Sequence, residues 1–209
     1  MIIISYVTKN TPYVQVLEEH LLPSLKKWNL DYEIGYYEDR KSWAENTAIK
    51  SQFIKEMLLK HKEPVVFIDS DATIEKFPQL LFEIPKDIDL GYFHFSWWGH
   101  WRGVWDKPDE KLELLSGTMY FNYNEKVLAL LDEWIKKVQE NVQMWEQKTL
   151  EALVYAKTDL NIYKLPAEYC CVLMQDNSIP KYITDPVIKH HQASRLYKRW
   201  WQNQRKGLI

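Results

Sequence analysis

Two carboxylates at the end of a short apolar run are the residues of this chain best placed to do chemistry. In residues 64–74, PVVFIDSDATI, Asp69 and Asp71 follow directly on Val65, Val66, Phe67 and Ile68. Two anions at i and i+2 repel one another, and leaving both unpaired at a buried edge is costly. A divalent cation removes that cost, and hard oxygen ligands suit Mg²⁺ or Mn²⁺. An acidic turn, with Asp71 accepting hydrogen bonds from amides near Thr73, is the alternative reading of the same residues. The preceding run favours the metal. Four β-branched or aromatic residues in a row read as a strand buried on both faces of a mixed or parallel sheet, and open α/β sheets bind ligands at the carboxyl edge.

The flanking elements position that edge. Ile2, Ile3, Ile4, Tyr6 and Val7 form a first strand that runs out into Thr8-Lys9-Asn10, and Thr11-Pro12 reads as an N-cap followed by proline at the first helical position. Val14, Leu17, Leu21 and Leu25 mark the apolar face of the helix, which Pro23 should kink or divide. A second strand over 32–37 ends at Glu38-Asp39, and Asn46 is expected to cap a helix that carries Lys50 in its first turn. The resulting β-α-β-α-β order opens a doubly wound fold with the two carboxylates after its third strand. Further on, 90–95 reads as a strand and 96–111, SWWGHWRGVWDKPDEK, as a long binding loop or lid. Residues 114–122 read as a strand interrupted at Ser116-Gly117, where glycine lets a ligand or another backbone approach. Helices follow around 127–135 and from Trp145-Glu146-Gln147 onward, with last strands at 161–165 and 187–191.

At 209 residues and 46% hydrophobic, the chain suits a single α/β domain. No run of about 18 apolar residues appears, and MIIISYVTKN lacks the features of a signal peptide, so a cytoplasmic protein is expected. Adjacent Cys170 and Cys171 are badly placed for a structural disulfide and read as buried filler. The net charge of −2 hides an asymmetry. Residues 187–209 hold six Lys or Arg and no acid, which leaves the remainder with 21 basic against 29 acidic residues. With Tyr197, Trp200 and Trp201 the tail is a basic aromatic arm, suited to a polyanion or to peripheral contact with a membrane surface, or else a solvated helix.

Taken in order, strand-D-S-D (69–71), L-S-G-T-M-Y-F-N (115–122), W-E-Q-x-x-L (145–150), I-Y-x-L-P (162–166) and V-I-K-H-H (187–191) resemble nucleotide-sugar glycosyltransferases of the GT-A type, most of all the family 8, glycogenin-like retaining enzymes. The resemblance implies a Rossmann-like mixed sheet flanked by helices. It places a catalytic domain over 1–186, with a nucleotide-binding half to about 95 and an acceptor half from about 96, followed by the last strand and tail. It also implies transfer of a sugar, with retention, from a nucleotide-diphosphate donor, by default a UDP-sugar, to an acceptor glycan, lipid, protein or modified DNA. Asp69 and Asp71 would hold Mn²⁺ or Mg²⁺ together with a late histidine, His190, or His191 if the register is off by one. Lys50 matches the family's basic donor contact, although a solvated helix lysine is the plain alternative. Ser116 and Gly117 would line the sugar pocket, with Leu115 in place of the usual asparagine. Glu146-Gln147 stands where the family has Asp-Gln near the scissile bond, and Arg195 near where a lysine meets the diphosphate. Tyr6, Thr8, Asp39 and Ser70 fall at strand ends or in the acidic motif, where base, ribose and phosphate bind.

Two other functions fit parts of the sequence. FIDSDAT matches the D-x-D-x-T signature of haloacid-dehalogenase-type phosphatases, with Asp69 as nucleophile, yet that motif normally lies on the first strand and has acidic partners later. The basic tail alone suits a nucleic-acid or membrane-surface binding module.

Overall fold

The computed structural model describes residues 1–105, 112–141 and 144–197. Part of the tryptophan-rich stretch and most of the basic tail, including Lys198, Arg199, Trp200, Trp201, Arg205 and Lys206, lie outside the described residues. The elements run β1 (Ile2–Thr8), α1 (Pro12–Glu19), α2 (Leu21–Lys27), β2 (Tyr32–Tyr37), α3 (Trp43–Thr47), α4 (Ile49–His61), β3 (Val65–Ile68), β4 (Ala72–Ile74) and α5 (Gln79–Phe82). They continue with β5 (Leu90–Ser96), α6 (Trp97–Arg102), β6 (Leu112–Phe121), α7 (Glu125–Glu140), α8 (Glu146–Ala156), β7 (Ile162–Lys164), a 3₁₀ turn (Ala167–Cys170), β8 (Cys171–Val172) and β9 (Ile188–His190).

Six strands form one mixed sheet in the order β2-β1-β3-β6-β5-β7. β1 pairs in parallel with β2 and β3, whereas β6 runs antiparallel to both β3 and β5. All four residues of β3 are buried, because each face of the sheet is covered. Val66 and Ile68 pack with Leu17, Leu21 and Leu25 on the side of α1 and α2. Val65 and Phe67 pack with Phe53, Leu131 and Trp134 on the side of α4 and α7. This alternation is what period-2 side chains demand of a strand enclosed between two layers.

Local signals act as expected at several points. Thr11 caps α1 by accepting from the Tyr13 amide, and Pro12 takes the first helical position. The helix divides at His20, as Pro23 requires, since its ring would clash with the carbonyl of Glu19 four residues back. Elsewhere the structure corrects the sequence reading. Asn46 is no N-cap: Ser42 caps α3 through the Glu45 amide, and the Asn46 side chain binds Asp39 and the Arg40 amide. Residues 97–102 are not loop but α6, capped by Ser96 Oγ on the Gly99 amide at 2.7 Å.

A second sheet of three short strands, β4-β9-β8, stands beside the first. β4 follows Asp71 immediately, so this small sheet brings β9 back beside the acidic turn.

Candidate active site

The turn between β3 and β4 carries both carboxylates. Its backbone is held by Asp69 N to Gly117 O at 2.8 Å and by Ala72 N to Asp69 O at 3.0 Å. β4 pairs antiparallel with β9 so that Ala72 opposes His190, and this pairing brings the histidine beside the acids. Ligand atoms of Asp69, Asp71 and His190 all lie within 4.8 Å of one another. Thr118 Oγ1 fixes the ring through Nε2 at 3.0 Å. Nδ1 is buried with no hydrogen-bond partner among the described residues, and it stands 3.7 Å from Asp71 Oδ1, too far for a hydrogen bond. Two carboxylate oxygens and an orphaned imidazole nitrogen form a donor set that could hold a divalent cation, with the ring oriented from behind by a hydrogen bond at its other nitrogen. His191 points elsewhere. It meets Thr73 Oγ1 at 2.9 Å and stacks on His20 at 4.0 Å, as neighbouring strand residues must face opposite ways.

The two aspartates sit in different electrostatic surroundings. Asp71 would be pushed up by burial, but the His190 imidazole and the Ala193 amide, which donates to Oδ2 at 2.8 Å, hold its carboxyl below the usual range. Asp69 goes the other way, because desolvation at the edge of the cleft, together with the neighbouring Asp71 carboxylate, outweighs the Lys50 ammonium. Burial opposes the charge of His190, yet the Cys170 thiol and the Asp71 carboxylate lift its pKa to about 10, so a cation that binds at Nδ1 must displace a proton.

Gly117 makes room for the histidine. β6 contributes three residues, Ser116 to Thr118, that β5 does not match between Tyr92 and Phe93, so this segment bows out of register toward the acids. A Cβ on Gly117 would lie 2.8 Å from His190 Cε1 and 3.0 Å from Nδ1. The sequence reading expected a ligand or backbone to use the gap, and an imidazole does. Gly117→Ala is therefore expected to displace the ring and weaken binding of a divalent cation by Asp69, Asp71 and His190 by about tenfold or more. The backbone itself tolerates alanine there, so calorimetry beside a melting curve separates the two effects.

Lys50 is no solvated helix lysine. It is 4% exposed, and its Nζ lies 3.1 Å from Asp69 Oδ1, 3.1 Å from Glu146 Oε1 and 3.2 Å from Ser116 Oγ. Burial disfavours its charge, but the two carboxylates prevail and hold it firmly protonated. Glu146 opens α8, where the helix dipole favours an acid, and is just 3% exposed. Gln147 accepts from the Ser116 amide and hydroxyl at 3.2 and 3.0 Å and donates to Glu113 Oε1 at 3.1 Å.

Two cavities meet at these residues. Tyr6, Thr8, Lys50, Ser70 and Glu146 line the smaller, of about 150 Å³; Gly117, His190 and Arg195 line the larger, of about 530 Å³. Asp69, Asp71, Ser116 and Gln147 belong to both. Asp39 lines neither. It holds Asn46, which does line the smaller cavity. Arg195 lines the larger cavity and not the one that Lys50 lines, with Nη1 donating to the Leu173 carbonyl at 3.4 Å. The Tyr6 hydroxyl donates to Asn46 O at 3.0 Å, and burial raises its pKa well above the ordinary phenol value. Sequence reasoning missed Trp43 and Glu113 and had Trp145 and Thr118 only as members of the quoted motifs; the Trp43 and Trp145 rings stand 6.2 Å apart in the wall of the smaller cavity. Thr118 had one available signal: it follows Gly117 on the strand that faces the acids.

No protein-family model and no curated protein matches the sequence. Solved structures do match. The chain superposes over 100% of its length on 98% of a glycosyltransferase involved in glycosylation of the major capsid of PBCV-1, with TM-score 0.65 and 14% identity. The fold is that of the GT-A glycosyltransferases. Mouse xyloside xylosyltransferase 1 shares this GT-A architecture at TM-score 0.57 and 13% identity, over 92% of this chain and 97% of that one. So does the galactosyltransferase LgtC, in complex with donor and acceptor sugar analogues, at TM-score 0.53 and 9% identity over 100% and 96% of the two chains.

Proposed function

We propose that the chain is a metal-dependent glycosyltransferase that moves a sugar from a nucleotide-diphosphate sugar, a UDP-sugar by preference, to an acceptor with retention of configuration. The observation that carries this reading is the convergence of Asp69, Asp71 and His190 at the seam between two cavities, on the carboxyl edge of a GT-A sheet. The smaller cavity takes the donor and the larger the acceptor. Held by Asp69, Asp71 and His190, Mn²⁺ or Mg²⁺ would neutralise charge developing on the diphosphate leaving group. Lys50 adds a fixed cation within that wall, and its pairing with Asp69 keeps it aimed there. Glu146 Oε2 is buried without a hydrogen-bond partner among the described residues, in a side chain that lines the smaller cavity. Gln147 and Ser116 brace one another between the cavities, where the bond is broken and remade. A retaining transfer requires no general base, so the site is complete without one.

Hydrolysis of a panel of nucleotide-diphosphate sugars in Mn²⁺ tests the reading without an acceptor. One donor is expected to be cleaved slowly and chelation to stop it. Failure to bind or cleave any donor would sink the proposal, and a trapped aspartyl-phosphate on Asp69 would replace it with the phosphatase.

The basic aromatic tail supports a second contact, with an anionic membrane surface or another polyanion. No helix among the described residues is long and apolar enough to cross a membrane. Truncation after Tyr197 is expected to leave UDP affinity intact and to abolish salt-sensitive binding to anionic phospholipid vesicles. Loss of UDP binding in a folded truncation would place the tail over the donor instead.

A further inference from the structure

We infer that the acceptor is a neutral saccharide, seated in the larger cleft with one sugar ring against the indoles of Trp97 and Trp101. This rests on the reading of the smaller cavity as the donor site, because the two share Asp69, Asp71, Ser116 and Gln147 at the point of transfer.

The aromatic wall is built, not incidental. Phe95 is its hub, with ring centroids 5.4 Å from Trp97, 6.4 Å from Trp101 and 6.2 Å from Tyr182. Ser96 caps the helix that carries both tryptophans. Trp97 is pinned at its edge, where Nε1 donates to Glu113 Oε2 at 3.0 Å. Glu113 is itself buried and accepts from Gln147 Nε2 and Lys148 Nζ, both at 3.1 Å. One carboxylate thus ties the aromatic wall to the glutamine at the seam. Both indoles line the cleft, with Trp97 40% and Trp101 49% exposed.

The rest of the lining selects among acceptor classes. The same cleft is lined by Gln175, Gln192, Ser194 and Arg195, which offer planar amides, a hydroxyl and one guanidinium. A pyranose offers an apolar C–H face to an indole and a rim of hydroxyls to groups of this kind. A polyanion such as DNA requires several cations. Among the described lining residues Arg195 is the one Lys or Arg, against the carboxylates of Asp69, Asp71 and Glu113. At about 530 Å³ the cleft falls within the size range of small-molecule sites, roughly 300–1,000 Å³, and holds a short oligosaccharide.

The test uses the full chain with UDP and Mn²⁺ present, titrated by calorimetry with a panel of neutral oligosaccharides, a peptide library and anionic vesicles. At least one oligosaccharide is expected to bind. Trp101→Ala should weaken it by about tenfold or more, and Trp101→Phe should keep it within about threefold. Trp101 is half exposed, so its truncation leaves the core intact. Equal saccharide affinity in Trp101→Ala would overturn the aromatic seat. If UDP binds and no oligosaccharide does, or if only peptides or vesicles bind, the saccharide inference fails while the donor site stands. If UDP itself does not bind, the glycosyltransferase reading fails first and takes this one with it.

Discussion

Exchange of Asp71 for asparagine is expected to cut Mn²⁺-dependent UDP binding by about a hundredfold or more while leaving the melting temperature nearly unchanged. The two halves of that expectation come from the two oxygens of one side chain. Oδ2 accepts from the Ala193 amide at 2.8 Å, and an asparagine carbonyl can keep that bond. Oδ1 faces His190 Nδ1 across 3.7 Å, too wide for a hydrogen bond and suited to a shared ion. An amide there removes the negative charge that opposes the cation and turns a donor group toward it. Even losses behind the first ligands commonly cost ten- to a hundredfold in affinity, so direct loss of a ligand costs more. Asp69→Asn is a less clean experiment, because Asp69 also pairs with Lys50 and its removal disturbs a buried cation. Calorimetry with UDP, with and without Mn²⁺, decides the matter. Equal affinity in Asp71→Asn and the unaltered protein would remove the metal assignment.

How far such a site can be read without coordinates depends on the length of the signal. β3 announced itself through four consecutive β-branched or aromatic residues, and the pair of acids after it marked the sheet edge. Thr11-Pro12 and Pro23 acted locally, through a cap and a ring clash, and so were legible too. The second sheet was not. β4 has three residues and β8 two, too few for alternation to show, and the pairing of β4 with β9 spans more than 100 positions. That pairing decides between His190 and His191, which sequence alone left open. α6 looked like a loop because tryptophan and glycine dominate it; its serine cap and its packing around Phe95 outweigh those weak propensities. Lys50 was readable as a donor contact only by resemblance. Its burial depends on Asp69 and Glu146, which lie 19 and 96 positions away, and local sequence carries no trace of them.

The same burial makes Lys50→Met the substitution with the largest expected cost to the fold. The lysine stem packs with Nζ over the Phe67 ring at 4.9 Å, and methionine preserves much of that apolar contact. What it removes is the cation between two carboxylates. Asp69 is 37% exposed and can turn toward water or metal. Glu146 cannot, being 3% exposed, with Oε2 already lacking a partner and Oε1 held by the lost ammonium. Removing one member of a buried ion pair costs about 3–5 kcal/mol, because the other charge stays desolvated. For a domain of this size that is a fall in melting temperature of roughly 6–20 °C. Lys50→Met/Glu146→Gln should recover at least about half of it, since the double variant buries a neutral amide in place of an orphaned charge. UDP affinity should stay low in both variants, because neither restores the cation near the diphosphate. A single variant as stable as the parent would show that Glu146 is solvated in solution, and the Lys50–Glu146 pair would then have no part in shaping the donor cavity.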